Sequence, residues 1–408
     1  MKEQRFLVLS VWIISCSLAI ACGDGNRPKD VYSVRDSAGV QIAENAAPSE
    51  VSEGSWFVSS DPVLQIGALE GPEEYTFDQI GSVLGLSDGQ ILVANLRTNE
   101  LRYYGLDGLF RKTVGGTGEG PGEFMMIYKV WFGTADTLWV NDARLGRLTM
   151  LGPDGGFVKS IRIQGNPELG FPAAFGSTSV GGFWVTSGTG GFGRGAEGLL
   201  ERSTIFFSRY DTVGSFDRVI ADFQGSPQWA HTSGGVTSAN SIPYSVGWTV
   251  YAGTPSHLFL GTGVDPEVEV RAEDGRLERL IRWEAAPRPI DGAEIERFKE
   301  DFMAEYEGSD REEFWNGWLR DVPFPDFMPT YDKLIVDRLG HLWVRKYQPW
   351  REDSRTWFTF TSDGRWLGEV ALPPNLVVTE IGEGYLLGTW RDEMDVEYVR
   401  MYSLARGG

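Results

Sequence analysis

An all-β, repeat-built fold is what this sequence predicts, and three observations predict it. The chain of 408 residues carries 52 glycines, 15 tryptophans and 23 phenylalanines, a composition suited to tight hairpin turns with large aromatics filling the gaps between packed sheets. Short apolar runs rich in β-branched and aromatic residues alternate with Asp-Gly turns, the strongest short-range hairpin signal. The pattern also recurs: "DGQILVANLRTNELRYYGLDGLFRKTV" (88–114) and "ADTLWVNDARLGRLTMLGPDGGFVKSI" (135–161) align without a gap at an offset of 47 (142 − 95). Asn95 falls on Asp142, Arg97 on Arg144, Leu101 on Leu148, and Asp107-Gly108 on Asp154-Gly155.

Each copy follows a nearly identical hexapeptide, "EGPEEY" (70–75) and "EGPGEF" (119–124). Weaker copies continue at "GGFWVTS", "SHLFLGTG", "GHLWVRK" and "GYLLGTW", each with its following strands, over residues 77–406. Six units of about four strands at a spacing of about 40 to 50 residues predict a six-bladed β-propeller, whose blades pack radially. The last unit stops after its third strand. The segment "VLQIG" (63–67) precedes "EGPEEY" as "KTVGG" (112–116) precedes "EGPGEF", so an N-terminal strand is expected to complete blade six and close the ring, and deletion of 55–68 is expected to destabilise the whole domain.

The N-terminal residues form an address label. "MKEQR" is a charged n-region, "FLVLSVWII" an apolar stretch too short to span a bilayer comfortably, and "LAIAC" ends in small residues at a cysteine. This is similar to a bacterial lipoprotein signal; the resemblance implies cleavage after residue 21 and lipidation of Cys22, although Ala19 stands where leucine is preferred. An ordinary secretory signal cut near Ala21 is the alternative. Gly23 after the cysteine implies, by the same resemblance, transport to the outer membrane. The expected domains are thus a signal peptide (1–21), a lipidated N-terminus and polar tether with at most one short strand (22–54), and the propeller (55–408).

Composition excludes several functions. The only cysteines are Cys16 and Cys22, so the body beyond them holds no disulfide, thiol nucleophile or zinc–thiolate site. A formal net charge of −20 opposes nucleic acid and anionic membrane surfaces, both of which require a basic face; contact with the membrane is expected through the lipid alone. With 41% hydrophobic and 23% charged residues, the chain is globular.

The hexapeptides link the outer strand of one blade to the inner strand of the next, and in propellers these links share a rim with the loops between second and third strands. Candidate residues therefore gather at one mouth of the central channel, where an unknown protein, glycan or small molecule would bind. Asn95 and Asp142 begin such loops. They either satisfy turn backbone groups or present oxygens to calcium. Arg97, Arg144, Lys129, Arg345 and Arg391 are placed near the same mouth, where they either pair with Glu70, Glu119 and Glu123 or bind an anionic ligand through charge-assisted hydrogen bonds. His257 and His341 precede second strands and fall on the opposite rim; His231 falls in the loop "SPQWAHTSGG". One stretch, Asp291 to Arg320, breaks the β pattern: Ile295, Phe298, Phe302 and Tyr306 share a helical face after a capping-box-like Asp291 and Glu294. Phe314, Trp315, Trp318 and Leu319 continue on a second helix. This insertion between blades four and five is expected to pack on the propeller's outside or to serve as a lid or partner surface.

The six units, the Gly-Pro links and the leader resemble the bacterial six-bladed β-propeller lipoproteins related to NHL-repeat proteins. The resemblance covers nearly all of the chain beyond the leader, and the "EGPGEF"-type link is its most specific feature. It implies the fold and hardly anything of the chemistry; the leading reading is a noncatalytic recognition or scaffold module. Gluconolactonase-like and paraoxonase-like propellers, which use calcium for hydrolysis, are the enzymatic alternative; a streptogramin-inactivating lyase would need a histidine pair at the mouth, which is not evident.

Overall fold

The structure, a computed structural model, describes residues 31–48, 56–189, 197–246, 250–349 and 355–407. The leader and Cys22 lie outside the described residues. The described chain is nearly all β, with the architecture of a β-propeller: four-stranded antiparallel meanders whose innermost strands surround a central cavity.

Sheet I comprises Ile80–Gly85, Ile91–Asn95, Glu100–Tyr104 and Phe110–Gly115; sheet II comprises Ile127–Phe132, Leu138–Asp142, Arg147–Leu151 and Phe157–Arg162. Sheet III is Ala173–Ser177, Phe183–Thr189, Thr204–Tyr210 and Phe216–Gln224; sheet IV is Val250–Gly253, His257–Gly261, Glu267–Ala272 and Leu277–Trp283. Sheet V is Tyr331–Val336, Leu342–Lys346, Thr356–Phe360 and Trp366–Ala371; the chain's last three strands, Leu376–Gly382, Tyr385–Arg391 and Glu397–Arg406, form sheet VI. Second strands read as unbroken apolar runs such as "ILVAN", buried on both faces, because each sheet is covered on both sides. Leu92, Tyr103, Phe124 and Val140 form the core between sheets I and II. Trp283, Tyr331, Phe358 and Trp366 do the same between IV and V.

Four N-terminal strands complete outer edges. β3 (Trp56–Val58) and β4 (Leu64–Ile66) both pair antiparallel with the last strand of sheet VI, Trp56 opposite Arg406 and Ile66 opposite Val399. β1 (Tyr32–Ser37) and β2 (Val40–Asn45) form a hairpin that extends sheet IV, with β2 parallel to Leu277–Trp283. Part of the stretch expected as a tether is therefore folded. The reason is burial: Ile42, Ala43 and Asn45 lie against sheets IV and V. Asn45 donates from Nδ2 to the carbonyls of Arg282 (2.8 Å) and Gly364 (3.0 Å) and accepts at Oδ1 from the Trp366 amide (2.8 Å). One side chain thus joins the N-terminal strand to two sheets. Asn45→Ala leaves these buried backbone groups unpaired and should cost about 2–3 kcal/mol, read from the denaturant midpoint.

The insertion holds α1 (Gly292–Ala304) and α2 (Glu312–Asp321). Asp291 caps α1 by accepting from the Glu294 amide (2.8 Å), while the Glu294 carboxylate receives the Tyr244 hydroxyl (2.9 Å) and Arg297 rather than closing the box on Asp291. The apolar helix faces do not cover a blade's outer edge. Phe298, Trp315, Trp318 and Leu319 form a separate core with Ile242 and Tyr244, against a small sheet of Gly198–Leu199, Gln228–Ser233 and Val236–Ser241. These segments all belong to connections on the rim of the hexapeptide links, so together they build a cap on that side. His231, expected in a loop, lies on a strand of this small sheet, 5.4 Å from the Phe314 ring.

Candidate functional site

The repeated hexapeptides prove to be clamped links. Arg147, from the third strand of sheet II, donates to the carbonyls of Glu119 (3.0 Å), Gly120 (3.0 Å) and Glu123 (2.7 Å), while the Glu123 carboxylate accepts the Gly120 amide (2.9 Å). Arg102 does the same for the first link, donating to the carbonyls of Glu73 (2.7 Å) and Thr76 (2.9 Å). Neither arginine stands out in the sequence, because they come from different positions of their third strands.

Asn95 and Asp142 are buried, and their oxygens are engaged. The Asp142 carboxylate accepts amides of Met125 (2.8 Å), Met126 (3.3 Å), Arg144 (3.1 Å) and Leu145 (3.0 Å); Asn95 Oδ1 accepts the Asp78 amide (3.0 Å) and its Nδ2 donates to Thr98 (2.9 Å). Among the described residues no group of three or more histidine, cysteine, aspartate or glutamate side chains is placed to hold a metal. The donor set does not fit calcium, which requires six to eight oxygens free to converge. Asp142→Ala should therefore cost about 3 kcal/mol through unpaired amides, and the melting temperature of the parent protein should be the same in chelator and in millimolar calcium.

The seven predicted site residues separate into two groups. Arg97 pairs with Asp78 (3.2 Å), Arg391 with Asp395 (2.8 Å) and Glu397 (2.6 Å), and Arg144 is exposed; with Asn95 and Asp142 they belong to turns and rim ion pairs. The partner acids are not the expected glutamates of the hexapeptides. Glu397 also accepts the Ile80 amide (2.7 Å), so Arg391 helps tie sheet VI to sheet I. Lys129 and Arg345, in contrast, line the central cavity.

That cavity, about 840 Å³, is bounded by the first strands of all six sheets. First strands run from the link rim toward the opposite rim, so residues early in each strand lie nearer the mouth. Lys129 is third in its strand, and so is Lys333 in "YDKLIV". Sequence reasoning missed Lys333, although its register matched that of Lys129. The Lys333 ammonium donates to the Val378 carbonyl (2.7 Å), and Lys129 Nζ lies 5.7 Å from the Phe175 ring centroid. Arg345 pairs with Asp332 (2.5 Å). Tyr251 and Tyr347 complete this wall.

The electrostatics follow from that placement. Burial, then the like charges of Arg345 and Lys129, lower Lys333 to about 7, and burial lowers Lys129 to about 8. Burial raises the Tyr251 hydroxyl, and burial with Asp332 nearby raises Tyr347 to about 12, so both stay neutral donors at physiological pH. Toward the other rim Glu380 accepts from the Tyr385 hydroxyl (2.6 Å) and the Gly85 amide (3.0 Å) and pairs with Arg338 (2.8 Å). The channel thus has a neutralised floor and a cationic upper wall, in a chain whose net charge is −20. Such a lining can hold an anion, because guanidinium, ammonium and phenol donors face the same cavity. The three histidines stand elsewhere. His257 contacts Glu278 (3.0 Å) and His341 contacts Asp337 (2.9 Å).

No known protein-family model and no curated protein matches the chain. Solved structures do. A DUF4221 family member from Bacteroides vulgatus aligns over 87% of this chain and 99% of its own at 10% identity, TM-score 0.48. A predicted exported protein from Bacteroides fragilis aligns over 90% and 100% at 10% identity, TM-score 0.47. A gluconolactonase from Xanthomonas campestris aligns over 81% and 87% at 14% identity, TM-score 0.41. Likeness at this level carries no ligand or activity across.

Proposed function

We propose that the protein is an extracytoplasmic, lipid-anchored binding module: a six-bladed β-propeller, sealed at sheet VI by β3 and β4, that takes up a small anion in its channel without transforming it. The observation that carries this is that Lys129, Lys333 and Arg345 all line one cavity, with Asp332 the adjoining carboxylate and already bonded to Arg345. Two partly buried ammoniums with lowered pKa are what an anion site looks like before its counter-charge arrives. Export and anchoring rest on the leader and Cys22, and the outer membrane on Gly23. Small carboxylates, phosphate and sulfate, screened by thermal shift at pH 6.5, test the reading. An anion at a hundred times its dissociation constant should stabilise by about 2.7 kcal/mol, and Lys129→Met with Lys333→Met should remove the shift. Absence of any anion-dependent shift in the parent protein would remove the basis for this function.

A further inference from the structure

A second cavity of about 900 Å³ adjoins the channel, between the cap and sheets III to V, and its chemistry is the opposite. Its walls include Pro227, Pro266, Pro287, Pro323, Pro325 and Pro329, residues that offer no amide donor and hold a fixed backbone. Ile242, Tyr244 and Met328 are buried at its base, while Leu199, Val264 and Phe327 stay more than half exposed along its walls, so it is an apolar cleft open to solvent. Part of its polar lining is engaged within the protein: Arg202 donates to the Gly225 carbonyl (2.7 Å) and Thr330 to that of Val264 (2.6 Å), while Asp265 also lines it.

The two cavities share a wall. Ser245 and Val246 line both. This wall is braced: Ser226 donates to the Val246 carbonyl (2.7 Å), and Tyr244, a non-glycine residue at φ 55°, is held to Glu294 of α1 (2.9 Å). A cationic chamber and an apolar cleft meeting at one edge match a ligand with a charged end and an apolar end. From the shared wall, the proline-lined cleft and the Lys129–Lys333–Arg345 cluster, we infer that the ligand is a single-chain anionic amphiphile of the carboxylate class. Its head lies in the channel and its hydrocarbon chain passes over Ser245–Val246 into the cleft. This inference rests on the anion-binding reading and goes further by naming the ligand class.

Isothermal titration of the full-length Cys22→Ser protein with linear carboxylates from two to ten carbons tests it. Affinity should rise about three- to fourfold for each methylene that enters the cleft, up to a plateau where the cleft is filled. Phe327→Asp, at an exposed cleft position, should flatten that dependence while leaving acetate binding unchanged; Lys333→Met should weaken every member of the series. Equal affinity for short and long carboxylates would overturn the amphiphile and leave the anion site standing. Binding of 1-decanol as tight as decanoate, insensitive to Lys333→Met, would overturn the placement of the head group. No binding by any carboxylate or by inorganic phosphate would overturn both the inference and the reading beneath it.

Discussion

Removal of residues 56–66 should leave no cooperative thermal transition in the remaining protein. β3 and β4 lie along the same outer edge of sheet VI and pack into the cores on its two faces. Trp56 packs with Trp343, Trp357 and Tyr402 between sheets V and VI, and its ring lies 5.7 Å from His341 and 4.6 Å from the Arg406 guanidinium. Ile66, almost fully buried, packs with Val83, Ile91 and Val399 between sheets VI and I. Losing a buried tryptophan costs about 3–5 kcal/mol and a buried isoleucine about 2–5, before the unpaired strand of Glu397–Arg406 is counted. Together these approach the whole stability of an ordinary domain, about 5–15 kcal/mol. Calorimetry and near-ultraviolet circular dichroism read the outcome. A truncated protein that melts sharply at the parent temperature would show that the ring holds without its N-terminal strands.

Anion binding at the channel should fall steeply as pH rises from 6 to 9. In the free protein Lys333 is lowered to about 7 and Lys129 to about 8, so both ammoniums are largely present at pH 6 and both are largely lost by pH 9. Binding must therefore be accompanied by proton uptake near pH 7.5, which calorimetry in buffers of different ionisation enthalpy detects. Lys333→Met should weaken the anion about tenfold to a hundredfold, the worth of one charge-assisted hydrogen bond. Stability moves in the opposite sense. Lys333 is lowered on folding from 10.5 to about 7, so between those values the unfolded chain holds more protons and stability rises with pH. The burden is full below 7 and absent above 10.5. Water in the channel screens part of it, leaving roughly 1–2 kcal/mol. Lys333→Met should remove its share of this slope, all of it between pH 7 and 8, while Lys129 keeps a slope between 8 and 10.5; a slope unchanged in that variant would assign it elsewhere.

What the sequence made legible was local. Asp-Gly hairpins and an ungapped 47-residue offset located the strands of sheets I and II, since both signals depend on neighbours along the chain. Lys129 was found because it stood at a recognisable point of a repeat. Lys333 held the same register, but in a more diverged unit, and its cross-strand neighbour Arg345 was found only through its place near the mouth of that unit. Asn95 and Asp142 were correctly placed at loop starts, yet which backbone amides would take up their oxygens depends on the adjoining link, folded back by tertiary contacts. The hairpin β1–β2 was hidden twice over. Its turn puts Ala38 and Gly39 at φ 55° and 86°, a conformation usually signalled by Asn-Gly, and its parallel partner lies more than two hundred residues away. The cap was equally hidden, because its core joins pieces of three separate connections.

The route of the N-terminal segment has a consequence in time. Phe57 pairs with Ala405 and Ile42 with Leu280, so these early strands must wait for partners made hundreds of residues later. At about 5–20 residues per second, roughly 20–70 s separate Phe57 from Ala405 during synthesis. Until then β3 and β4 lack their partner, and the four-stranded meanders of sheets I to V can form by local pairing while sheet VI cannot. Folding should therefore show a late step whose rate depends on the N-terminal segment, and a chain delivered from either end would meet the same delay.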